Sequence, residues 1–333
     1  LYRGYAEKAQ KYEALFNLIY NFILTYHPFM IIAFVHNNKA FLPGLYGYTQ
    51  FFSRYGIKCE VVTPDELGRT HRNVEWYFLG TDLSKPKEGI YKIHEYSSAS
   101  LPPFRKWKDW VKSFINAQPD YRIFQNEFVK NCMKFHDSIP WGYRDLGVPE
   151  EWLKLPPNLP KDYDFIYIGD ISVKRNMKIL FNKFAGDLRD QSLLVLSHRY
   201  EELQQEYKAY SNIFFKGPVQ KHQVREYLLK SKFAINYITN IEPFNQQTST
   251  KLLEYIACRV PVITTDYNWM RKFEQENGGR YFYLDKNLEN FTWSAVNDFS
   301  YDFPDLSEWT WEKQIRKSGV LHFLEANFPE LKF

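Results

Sequence analysis

Residues 249–265 read STKLLEYIACRVPVITT, a helix that runs directly into a buried strand. Leu252, Leu253, Ile256 and Ala257 recur at the spacing of one helical face, while Lys251, Glu254 and Cys258 share another. Pro261 ends the helix, and Val262-Ile263-Thr264-Thr265 is a β-branched run suited to a parallel strand. Ser249 and Thr250 place hydroxyls ahead of the lysine and the glutamate. The unpaired N–H groups of such a helix start attract an anion, an ammonium pairs with it, and a carboxylate accepts from a sugar hydroxyl. The segment therefore predicts a nucleotide-linked, phosphorylated ligand.

At 333 residues the chain has room for two domains, and 44% hydrophobic with 25% charged residues is the composition of a water-soluble globular protein. A net charge of +4 is too small to make nucleic acid the main partner. The aromatic share of 19% suits sugar- or lipid-lining surfaces, and composition alone does not separate these from base-composition bias. Cys59, Cys132 and Cys258 lie far apart with no CxxC spacing, which argues against a disulfide framework or a zinc site and for a reducing cytoplasm. No signal peptide is evident, although the chain starts at Leu1 and further residues can precede it. The apolar stretch over 14–35 contains Asn17, Asn21, His27 and Pro28, so it is rejected as a membrane span.

A helix is expected over 1–26, with Leu15, Ile19, Phe22 and Ile23 as its apolar stripe. Strands are expected over 30–35, 57–62, 74–79, 90–94 and 121–125, with helices near 48–55, 104–116 and 127–135. The segment LPPNLPKD (155–162), with Pro156, Pro157 and Pro160, reads as a linker. A second alternation follows, with strands over 165–168, 192–196, 212–215, 233–237 and 262–264 and helices between them. This predicts an α/β chain of two Rossmann-like parallel-sheet domains facing a cleft, over 1–155 and 156–310. A closing helix over 312–327, within a terminal segment 311–333, is free to pack back on the first domain.

In order along the chain, FIYIGDISVKRN (165–176), NIFFKGPVQKHQVREYLLKSKFAINY (212–237), STKLLEYIACRVPVITT and WTWEKQIRKSGVLHFL (309–324) resemble the nucleotide-sugar-binding half of GT-B glycosyltransferases. The likeness is greatest to the retaining enzymes of glycosyltransferase family 4 and covers roughly residues 164–324. The first half fits more loosely, through IYKIHEY (90–96) and PDYRIFQNEFVKN (119–131). The resemblance implies a GT-B fold and sugar transfer from a nucleotide sugar, with no metal and no further cofactor.

Negative charge builds on the departing diphosphate, so fixed cations and helix N-termini aimed there supply catalysis. The resemblance assigns this work to Lys174, Arg175 and Lys251. It assigns the ribose hydroxyls to Glu254, the close approach of the diphosphate to Gly169, the base to the backbone around Gly217 and Val219, and the helix start to Ser249 and Thr250. The family commonly carries two glutamates with seven residues between them; here the first falls on Gln246, while Glu242 heads an EPF triplet four residues earlier. A glutamine keeps a sugar contact but not the charge. His94 occupies a strand end where the family often has a histidine near the reacting sugar, with Glu95 as its rival.

On the acceptor side, Gly44 and Gly47 flank Leu45-Tyr46 in a loop that brings main chain near both substrates or simply makes a turn. In FRKWKDWVKSFI (104–115), Phe104, Trp107, Val111 and Phe114 form a stripe beside Arg105, Lys106, Lys108 and Lys112. Such a helix either lies on an anionic membrane surface or packs on the sheet with a wet basic edge. The leading expectation is a retaining transferase that extends a glycan or lipid-linked acceptor in polysaccharide biosynthesis, cytoplasmic and peripheral on the membrane's inner face. A nucleotide-sugar epimerase of the same fold and a degenerate, non-catalytic binding subunit are the alternatives.

Overall fold

The computed structural model describes residues 30–36, 42–78, 81–157, 159–171 and 177–333. The helix expected over 1–26 lies outside these residues, as do Lys174 and Arg175. The first sheet holds β1 (Ile31–Val35), β2 (Lys58–Val62), β3 (Val74–Phe78), β4 (Tyr91–Tyr96), β5 (Tyr121–Phe124) and β6 (Trp141–Tyr143) in the order β2-β1-β3-β4-β5-β6. The second holds β7 (Tyr163–Ile168), β8 (Leu193–Leu196), β9 (Ile213–Lys216), β10 (Ser231–Asn236), β11 (Val262–Thr265) and β12 (Phe282–Leu284) in the order β12-β11-β10-β7-β8-β9. Every pairing in both sheets is parallel.

Parallel strands need crossovers, and helices supply them. In the first half these are α1 (Pro43–Ser53), α2 (Arg105–Ile115) and α3 (Glu127–Met133). In the second half they are α4 (Lys178–Ala185), α5 (Glu201–Glu206), α6 (Lys221–Leu229), α7 (Thr250–Ala257), α8 (Asn268–Asn277) and α9 (Trp293–Asn297). The second sheet runs 3-2-1-4-5-6 by its own strand count, so its winding reverses between β7 and β10. That reversal opens a crevice at the carboxyl ends of the two strands, where Ile168 and Asn236 stand.

The period of two along β7 explains the two cores of the second half. Ile166 and Ile168 join one with Leu252, Leu253 and Ile256 of α7, and Phe165 and Tyr167 join the other with Phe181 and Phe184 of α4. Leu252, Leu253 and Ile256 are buried, and each contributes about 1.5–3 kcal/mol relative to an exposed side chain. Val148 and Trp152, which precede the proline-rich segment, already pack into the first of these cores, beside α7.

The closing helix expected over 312–327 is two helices, α10 (Trp311–Lys317) and α11 (Val320–Asn327). The break is at Gly319, whose φ of 71° is left-handed and whose added Cβ would lie 2.7 Å from the Tyr121 hydroxyl. Ile315, Val320, Leu321 and Leu324 pack into the core of the first sheet. Gly47 of α1 lets α10 come close, since a Cβ there would meet the Trp311 ring at 2.7 Å. Gly47→Ala is therefore expected to cost about 1–3 kcal/mol by overpacking. A thermal melt with an unchanged midpoint would show that α1 and α10 are not locked there.

Candidate active site

The crevice at the β7–β10 reversal has a volume of about 250 Å³. Gly169 and Asp170 line it from the turn after β7, Asn236 and Tyr237 from the end of β10, and Ser249, Thr250 and Lys251 from the head of α7. Ser249 caps the helix by accepting from Leu252 N, and its hydroxyl donates to Asn236 Oδ1 at 2.8 Å. Asn236 in turn donates to Thr264 Oγ1 and to the Tyr267 hydroxyl, each at 3.0 Å. The start of α7 is thus tied to the sheet by a buried polar chain. The turn after β7 is fixed on both sides: Gly169 stands at φ 156°, where a Cβ would lie 3.0 Å from the Tyr167 hydroxyl, and the Tyr255 hydroxyl accepts from Ile168 N at 3.2 Å.

One turn into α7, Lys251 Nζ donates to Glu254 Oε2 at 2.7 Å, the pair that i,i+3 spacing permits. Glu254 is buried and Lys251 only partly exposed. Lys221, at the start of α6, lies within electrostatic reach of both, and burial pulls its pKa down while Glu254 pushes it up. Its Nζ sits 4.0 Å from the centroid of the Tyr46 ring, so a first-half side chain covers the basic end of this site. Gly217 and Val219 stand beside α6: a Cβ at Gly217 would lie 3.2 Å from Tyr200, and Val219 packs on the core that includes α7.

The segment between β10 and α7 is clasped by the first half. Thr248 Oγ1 donates to Asp145 Oδ1 at 2.5 Å, Asn126 Nδ2 to the Gln246 carbonyl at 3.0 Å, and Gln247 Nε2 to Gln125 Oε1 at 3.1 Å. Arg105 pairs with Glu242 across the same gap. The placement of Gln246 is a correction. It ends a short 3₁₀ turn over Phe244–Gln246 and lines a separate cavity, while Gln247, where the backbone turns extended, lines the crevice.

Other expected residues are also placed elsewhere. Gly44, Tyr46 and Gly47 belong to α1 and not to a loop, because Pro43 already opens the helix ahead of them. Gly44 is buried against the Arg144 guanidinium and Gly47 against Trp311, so both glycines serve packing while Tyr46 alone reaches the site. His94 is fully buried on β4, with Nε2 2.9 Å from Asp82 Oδ2 and Lys92 on the same carboxylate, and it does not line the crevice. Its rival Glu95 is buried too, accepting from Tyr48 at 2.8 Å and Trp76 at 3.0 Å and paired with Arg144. Both face inward because the strand is covered on each side.

Burial is the main cause holding the His94 pKa below its ordinary 6.5, against the pull of Asp82. The unfolded chain then binds a proton near pH 6.5 that the folded chain refuses, so this stability is present above about pH 6.5 and lost below it. The melting temperature is expected to fall between about pH 6.5 and 5, and His94→Gln to flatten that fall. Identical profiles for both proteins in thermal melts would contradict the assignment.

One D-x-D triplet is present, Asp162-Tyr163-Asp164. It stands at the amino end of β7, opposite the crevice, where Asp164 is held by Ser192 and Lys232. Helix α2 turns its aromatic side outward: Phe104, Trp107, Trp110 and Phe114 are all more than half exposed, while Asp109 is buried and accepts from Ser100 N at 2.9 Å. Among the described residues no helix is long and apolar enough to cross a membrane.

Residues 162–295 match the family described as Glycosyl transferases group 1. AviGT4, a glycosyltransferase involved in avilamycin A biosynthesis, superposes with a TM-score of 0.54 at 12% identity, over 89% of this chain and 95% of its own. Anabaena HepE in complex with UDP and glucose gives 0.55 at 11% identity, over 90% and 95%. An α-glucosyltransferase in complex with UDP and a 13-mer DNA gives 0.54 at 9%, over 89% and 98%. No curated protein matches the sequence. At such identities the likeness is one of fold, a two-domain α/β architecture of GT-B type. The group 1 match is confined to the second half, residues 162–295, and the fold of the whole is of GT-B type. The matched region runs from the head of β7 into α9 and so contains the crevice wall formed by the second sheet and α7.

Proposed function

We propose that this protein transfers a sugar, a hexose or a close relative, from a nucleoside diphosphate donor to a glycan or lipid-linked acceptor. The observation that carries this reading is the head of α7 at the β7–β10 reversal, where Ser249, Thr250, Lys251 and Gly169 line one crevice. Helix N–H groups and an ammonium there suit a diphosphate, and Glu254 behind Lys251 suits the ribose. Uridine is the proposed base, since Anabaena HepE and the α-glucosyltransferase of like fold are both held with UDP.

As the diphosphate departs, Lys251 and Lys221 oppose the growing charge, and Lys174 and Arg175 after β7 are assigned the same role. Fixed cations then take the part that a metal plays elsewhere. Retention of anomeric configuration follows the family resemblance. The basic flank and outward aromatics of α2 support a place at an anionic membrane surface on the cytoplasmic side. Incubation with UDP-glucose, a candidate acceptor and EDTA, followed by proton NMR of the product, tests these points. An α-linked product formed with EDTA present is expected; a β-linked product would overturn retention, and metal-dependent turnover would overturn the role of the lysines.

A further inference from the structure

On the far side of the segment that carries Gln246 and Gln247 lies a second interdomain cavity, of about 390 Å³. That volume suits a ligand the size of one or two sugar rings. One wall is aromatic: Trp269 stacks on Phe273 at 5.1 Å, and Trp309 meets Phe273 at 5.3 Å. Apolar ring surface of this kind packs against the C–H face of a pyranose. The opposite wall is polar, with the amides of Asn131 and Gln246 supplying both donors and acceptors.

The charges choose between ligand classes. Asp145, Glu127 and Glu276 line the cavity against a single Lys272, so a phosphate or other anion meets net repulsion. A neutral polyhydroxylated ligand meets acceptors for its hydroxyls. Asp145 is well placed to be one of them. Thr248, Leu146 N and Gln125 all donate to its Oδ1, and Oδ2 accepts nothing among the described residues. The same carboxylate therefore touches the head of the donor-site helix and lines the second cavity.

We propose that this cavity seats the acceptor as an uncharged saccharide, with Asp145 as a positioning residue that receives one of its hydroxyls. This rests on the transferase reading above and names the acceptor class for it. An array of neutral, sialylated and sulfated oligosaccharides, probed with the purified full chain, provides the test. Binding confined to uncharged glycans is expected, with at least a tenfold loss in Asn131→Trp, which fills the cavity from the exposed side of α3. Glu276→Ala, a second exposed site, is expected to weaken the same spots. No binding to the array, binding only to anionic glycans, or binding unaltered in both variants would overturn the proposal. A UDP-induced thermal shift recorded on the same samples reports on the donor site separately, so failure of one reading is distinguishable from failure of the other.

Discussion

Glu254→Ala is expected to weaken binding of a nucleoside diphosphate by about 10- to 100-fold, the loss of one or two hydrogen bonds to a charged group at about 1.5–3 kcal/mol. Glu254 is the one carboxylate on α7, it is buried, and Lys251 holds one of its oxygens at 2.7 Å. The other, Oε1, accepts no hydrogen bond among the described residues. Removing the side chain frees Lys251, which is exposed enough to be hydrated, so the fold should survive. Lys251→Ala removes the ammonium and is expected to act in the same direction. Glu254→Gln keeps the shape and one acceptor, and should fall between wild type and Glu254→Ala. Titration calorimetry separates these cases, and unchanged affinity in both alanine variants would remove the site assignment.

Arg144→Met is expected to destabilise the fold by about 3–5 kcal/mol, because it leaves the buried Glu95 carboxylate without its cation. Arg144 and Glu95 are both nearly inaccessible, and the guanidinium also lies between the Tyr48 and Trp311 rings at 5.2 and 5.5 Å. The pair thus joins α1, β4 and α10, the elements that bring the chain's end back onto the first sheet. Glu95→Gln added to Arg144→Met removes the stranded charge and should recover part of the loss. Urea denaturation measures both. A cost under about 1 kcal/mol for the single variant would mean that Tyr48, Trp76 and Ser97 alone satisfy Glu95.

Much of the fold was legible because parallel strands buried on both faces are apolar or β-branched runs, as in Leu193–Leu196 and Val262–Thr265. The head of α7 was legible as well, since capping chemistry is local: Ser249 caps, and Lys251 meets Glu254 one turn on. Sequence reading failed where facing or distance in the chain decides. His94 and Glu95 sit at a strand end, but nothing in YKIHEY says that both sides of β4 are covered. Gln246 ends a short 3₁₀ turn and Gln247 is extended, and that change of backbone moves the contact from one cavity to the other.

Lys221 and Tyr46 are 175 positions apart, so their contact across the two halves leaves no local trace. Asp145 was missed for the same reason, its partner Thr248 being distant in the chain. On α2 the aromatic stripe was read correctly as a stripe, yet it faces out, because Asp109 is drawn inward by Ser100 N.

The central claim is that the head of α7 at the β7–β10 reversal holds a nucleoside diphosphate. Titration of the wild-type protein with UDP, GDP, ADP and CDP by calorimetry tests it most directly. Saturable binding of UDP, tighter than that of the other three and lost on Lys251→Ala with Glu254→Ala, is the expected result. The absence of saturable heat with all four nucleotides, from a sample that melts cooperatively, would contradict it.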